Sequence, residues 1–168
     1  EGFARLADQD PDAAVRSLLP LLDGARASGL RLPSVRGWEA DLVEALVSCG
    51  DTSTARTVTA WLADDVRATA SRWGEAALAR ASGLVAEDAS SAAAHLDRSA
   101  AAFTDLDAPF EAARSAHLAG LAWLAIDRHD EAEQRFRRAL TTFRAVRARP
   151  FAELSIDQLR AVGGFRNS

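Results

Sequence analysis

Lysine, methionine and tyrosine are missing from this 168-residue chain, and cysteine occurs once, at Cys49. A single thiol excludes an internal disulfide framework and any zinc site built from several cysteines, and it fits a reducing compartment. Without lysine there is no Walker lysine to cradle a phosphate, and no GxxxxGKS/T segment occurs. Ten glycines and five prolines in a chain that is 48% apolar are too few for a collagen-like or disordered polymer. No near-continuous apolar run approaches the roughly 18 residues that a membrane span needs. The opening residues EGFARLADQD have neither the basic start nor the apolar stretch of a secretory signal. The absent initiator methionine reads as a piece of something longer. A net charge of −4 gives no reason to expect nucleic-acid binding by the chain as a whole.

Alanine (38) and arginine (20) dominate what is present. Alanine is the best helix former and strand-favouring residues are few, so the composition predicts an all-α fold. Helix punctuation agrees. Asp10-Pro11 opens a helix bearing Val15, Leu18, Leu19 and Leu22, with Pro20 expected to kink it. Gly29 and Leu32-Pro33-Ser34 close it, and Ser34 caps a helix carrying Trp38, Leu42, Ala45 and Leu46 that ends at Gly50. Asp51 or Thr52 starts the next, with Ala55, Val58, Leu62 and Val66 on one face. Another runs from about Ser71 to Ala86. Asp88 to Asp105 carries Ala92, Leu96, Ala100 and Phe103, and Pro109 opens a helix holding Leu118, Leu121, Ala122 and Ile126. Asp130 is the expected cap of a helix with Ala132, Phe136, Ala139, Leu140, Phe143 and Val146. Pro150 is expected to stop it, leaving Phe151 to Val162 as a last helix before Gly163-Gly164. With Phe3 to Ala7 read as the tail of an earlier helix, about nine helices are predicted, joined by the short turns of antiparallel neighbours.

The pattern also repeats. Ala132, Phe136, Ala139 and Phe143 overlie Ala92, Leu96, Ser99 and Phe103 at an offset of 40, and Pro109-Phe110 and Pro150-Phe151 recur at 41. Ala55 and Leu62 match Ala92 and Ser99 at 37, and Ala14 and Leu21 match Ala55 and Leu62 at 41. A recurring hairpin cannot bury its apolar face alone, so successive hairpins are expected to stack.

From Arg114 to about Val146 the residues resemble a tetratricopeptide (TPR) unit. Ala119-Gly120 stand at the family's Leu-Gly pair, Trp123 at its large aromatic, Ala132 at the small residue of the second helix, and Phe136 and Ala139 beyond it. Gly83, Ala92, Leu96 and Ser99 take the same roles in a second unit. A third, from Val35 to about Ala70, has Val43 for the glycine and Leu46 for the aromatic. The longer period resembles the C-terminal helical region of large ATP-dependent LuxR-type (maltose-regulator-like) transcription regulators. The segments SRWGEAALARASGLV, LDAPFEAARSAHLAG and HDEAEQRFRRALTTFRAV carry that likeness. It implies an α-α superhelix of about four TPR-like hairpins plus a closing helix over 1–162, and a tail toward a following domain at 163–168. It further implies a cytoplasmic, bacterial, non-enzymatic sensor that binds a protein, peptide or small effector. ATPase and helix-turn-helix domains would lie outside these residues, so no cofactor and no direct nucleic-acid contact are expected here. The alternative is a TPR adaptor from another multidomain protein; an enzyme on a helical scaffold has no residue constellation in its favour.

The residues that could carry chemistry read as structural. His95, His117 and His129 fall on different elements with no HxxxH or HxH spacing, so no metal site is predicted. Cys49 lies near a helix C-terminus, where the dipole disfavours a thiolate. Asp64-Asp65, Glu87-Asp88 and Asp130-Glu131 are adjacent pairs pointing about 100° apart. The cluster Arg135, Arg137, Arg138, Arg144, Arg147 and Arg149 follows acids on one helix, as the dipole prefers, and reads as a solvated face rather than a phosphate-binding one. Trp38, Trp61, Trp73 and Trp123 are expected in the packing between repeats. Transferring the TPR groove positions gives Glu44 and Val47, then Arg80, Leu84 and Glu87, then Arg114, His117, Leu121 and Leu124. The expected contact surface uses Arg80 and Arg114 as anchors for carboxylates or phosphates, against the alternative of ordinary surface arginines. Phe3, Leu6 and Phe165 at the cut ends are expected to be uncovered and to favour a homodimer through end-to-end pairing.

Overall fold

The computed structural model describes residues 10–27 and 38–165. Eight helices and no strand occupy them: α1 (Pro11–Ala27), α2 (Trp38–Ser48), α3 (Thr52–Thr69), α4 (Arg72–Leu84), α5 (Ala89–Asp105), α6 (Pro109–Leu124), α7 (His129–Ala145) and α8 (Arg149–Phe165). The expected class, all-α and assembled from helices packed on their chain neighbours, is what the described residues adopt. The expectations for Phe3 to Ala7, Gly29 and Leu32-Pro33-Ser34 lie outside those residues.

Side-chain caps set four of the starts. The Asp10 carboxylate accepts from the Ala13 amide at 3.0 Å, and Asp51 from Thr54 at 3.0 Å. Ser71 accepts from Gly74 at 3.1 Å and Asp88 from Ser91 at 2.8 Å. Each carboxylate or hydroxyl occupies an amide that the helix itself leaves without a partner.

The chain divides into two compact units, Glu1–Val85 and Ala86–Ser168. In the second, helices begin at Ala89, Pro109, His129 and Arg149, each 20 residues after the last. The turns between them are copies of one another. Asp107, Asp127 and Arg147 adopt left-handed backbone at φ 52°, 58° and 60°. The following amides, of Ala108, Arg128 and Ala148, donate back to the carbonyls of Phe103, Trp123 and Phe143 at 2.9, 3.0 and 2.8 Å. This is the Schellman closure, which reverses the chain in two or three residues. The 40-residue sequence offset is therefore two helix-plus-turn units of 20.

Three boundaries differ from expectation. α7 begins at His129 after Arg128, with no side-chain cap, so Asp130 sits in the first turn and complements the dipole there. Pro150 does not stop α7. Left-handed Arg147 has already ended it, and Pro150 is the second residue of α8, where a missing amide costs nothing. α8 continues through Gly163 and Gly164 to Phe165, past the expected helix end at Val162. α1 contains Pro20 within the helix, as expected, and that residue lies exposed.

Within the first unit α2 packs on α1, α3 and α4, burying Leu18, Leu42, Val43, Leu46, Val58 and Leu62. Within the second, α5 to α8 each pack on the next, around Leu96, Phe103, Phe136, Phe143 and Val162. Small residues set the close approaches. Ser99 and Ser115, both fully buried, share a 2.9 Å hydrogen bond between α5 and α6. At Gly120 an added Cβ would stand 2.6 Å from the Phe136 ring, so only glycine lets that ring lie against α6.

Candidate functional site

The first unit holds Glu44 and Arg80 of the expected groove. Glu44 is half-buried on α2. Arg80 is 1% exposed and lies on α4, its Nη2 3.6 Å from the carboxylate of Asp41, itself buried on α2. Leaving a guanidinium in a low-dielectric interior is costly without a counter-charge, and Asp41 supplies one. Arg80 is therefore neither an exposed anchor nor an ordinary surface arginine. Beside this pair Glu39 is 8% exposed, and its Oε2 has no hydrogen-bond partner among the described residues. Burial first, then repulsion from Asp65 and Asp41, pushes its carboxyl up to about 7, against the pull of its own backbone amide.

In the second unit Glu87 is exposed just before α5. Arg114, His117, Leu121 and Leu124 follow one another on successive turns of α6. Arg114 is 2% exposed; it pairs with Glu111 at 3.4 Å and lies about 6 Å from the centres of the Phe110 and Phe151 rings. His117 Nδ1 lies 3.0 Å from the hydroxyl of fully buried Ser155 on α8, and its ring leans on Phe136 at 5.4 Å. Desolvation pushes this imidazole down to about 4, so it is neutral at physiological pH. Leu124 packs against Ala132, Phe136 and Val162. Of the four, Leu121 is the most exposed, at 37%, while His117 and Leu124 are half-buried. This row is thus mostly a packing layer that α8 and α7 cover. A face expected to receive a ligand already receives Phe151 and Ser155 of the same chain.

The basic helix is largely committed as well. Arg135 makes a two-point contact to Asp97 at 3.0 and 2.9 Å, and the Trp123 indole donates to the same carboxylate at 3.0 Å. Arg137 pairs with Glu133, and Arg128 with Glu131 while lying 5.5 Å from the Trp123 ring centre. Arg144, Arg147 and Arg149 are exposed. Trp123 has the predicted packing role, half-buried between α5 and α7 partners. Cys49 is exposed, its thiol donating to Asp12 at 3.4 Å, and burial and that acidic neighbour raise its pKa. Among the described residues no three histidine, cysteine or acidic side chains converge as metal ligands, and no helix is long and apolar enough to cross a membrane.

The pairs Asp41–Arg80, Asp97–Arg135 and His117–Ser155 were not among the sequence-based expectations. Their separations of 39, 38 and 38 residues, close to the repeat, were the available signal. No family model and no curated protein matches the chain.

Proposed function

We propose that the chain is a non-enzymatic sensing and interaction module of a cytoplasmic LuxR-type transcription regulator. In that role it receives an effector or partner and relays it to ATPase and DNA-binding domains elsewhere in the parent. The observation that carries this reading is the run of four helices that start every 20 residues, joined by three like turns, over Ala89–Phe165. Such units transmit displacement from neighbour to neighbour, because each buries its apolar face only on the next. The exposed apolar side chains Leu121 and Val146 are the contact points it favours.

Two measurements test it. Sequencing the gene on both sides should find a P-loop upstream and a helix-turn-helix downstream; an adjoining catalytic domain of another kind would transfer the module to the adaptor class. In the parent protein, Leu121→Asp should lower effector-dependent transcription while leaving helicity unchanged. Unaltered transcription would remove α6 from the relay.

A further inference from the structure

A cleft of about 160 Å³ opens between the α5–α6 turn and the middle of α7. Its counterpart one helix later is filled. Adding 20 to Thr104, Ala112 and Thr142 gives Leu124, Ala132 and Val162, which pack together in one apolar cluster. Where the later layer has a leucine and a valine, the earlier one has two threonines. Thr104 is shorter than the leucine at its counterpart position and leaves the space open, while Thr142 matches valine in size; both threonines bring a hydroxyl to a layer that is apolar one helix later.

Opposite charges border this cleft without neutralising each other. Among the described residues the Arg138 guanidinium makes one hydrogen bond, from Nη2 to the Thr104 hydroxyl at 2.9 Å. That hydroxyl in turn donates to the Ala100 carbonyl at 2.7 Å, so the guanidinium is held in place with most of its donors unused. The neighbouring arginines 128, 135 and 137 all have carboxylate partners; Arg138 has none among the described residues. Asp107 stands in the turn at φ 52° and lines the same cleft. It does not cap α6, whose N-cap residue is Ala108, and among the described residues it forms no ion pair. The floor is Ala112 and Ala113, both buried.

A held guanidinium, an idle carboxylate and a small apolar floor are complementary to one molecule carrying both charges and little else. We propose that this cleft binds a free α-amino acid with a small side chain. Its carboxylate lies on Arg138, its ammonium on Asp107 and its side chain against Ala112 and Ala113. This names an effector class for the sensing role above and rests on that role only for its consequence; the binding stands by itself.

Titration of the full chain, followed by backbone amide NMR, tests the proposal with glycine, L-alanine and L-serine as probes. Acetate and methylammonium serve as half-charged controls, and L-tryptophan as a molecule too large for the space. Saturable shifts at Ala112, Ala113 and Arg138 are expected for at least one small amino acid, with each control weaker by about tenfold or more. Arg138→Gln and Asp107→Asn, both exposed positions, should each weaken binding by about tenfold with an unchanged circular dichroism spectrum. No saturable shift for any small amino acid, acetate binding as tightly as alanine, or indifference to both substitutions would overturn the proposal. None of these outcomes touches the regulator reading, which the flanking gene sequence decides.

Discussion

Burying Arg80 removes a guanidinium from water, and Asp41 on α2 is what makes that tolerable. The pair differs from the exposed bridges Arg67–Asp64 and Arg160–Asp157, whose solvated charges contribute little. Breaking a buried pair leaves one charge stranded, whereas replacing both partners with apolar groups of like volume does not. Arg80→Met should therefore destabilise by about 3–5 kcal/mol in urea titrations. Asp41→Leu added to it should recover most of the loss. A double variant as weak as the single one would show that Arg80 acts through its other contacts.

The three copied turns use residues that tolerate left-handed backbone unequally. Asp107 and Asp127 reach it at modest cost, since a short polar side chain suits that conformation, but Arg147 carries a long side chain into the same φ. Gly50, at φ 82° in the matching turn after α2, has no such penalty. Arg147→Gly is expected to raise stability by about 1 kcal/mol, read as a higher thermal midpoint. Arg147→Val should lower it. If glycine lowered the midpoint instead, the Arg147 side chain would be contributing contacts that outweigh the strain.

Two buried titrating groups, one in each compact unit, give the molecule an uneven response to pH. His117 in Ala86–Ser168 titrates at about 4 when folded, below its ordinary 6.5, so the unfolded chain takes up the proton first. Its neutral burial contributes fully above pH 6.5, and that stability is lost as pH falls toward 4. Glu39 in Glu1–Val85 behaves oppositely, holding its proton up to about 7 against an ordinary 4.5. Stability tied to it is present below 4.5 and lost as pH rises to 7. Each amounts to at most about 3 kcal/mol by linkage. Hydrogen exchange between pH 4 and 7 should find protection in the second unit falling on acidification and protection in the first rising. His117→Gln should flatten the former. Parallel changes in both units would refute the assignment of these groups.

Composition and periodicity already dictated the helices, most of their caps and the 40-residue recurrence, because alanine content, Asp and Ser caps and apolar spacing act within a few turns of chain. The same local rules misjudged Pro150 and Gly163-Gly164. A helix end is decided by which residue adopts the left-handed turn, and Arg147 shows no preference for it that a pattern could reveal. Burial of Arg80, Arg114 and His117 depended on partners about 38 residues away or on rings of a neighbouring helix. A polar side chain beside an apolar stripe looks the same in sequence whether water or Phe151 faces it. Packing of the helices alone settled which, since only there does a counter-charge or a ring come within reach.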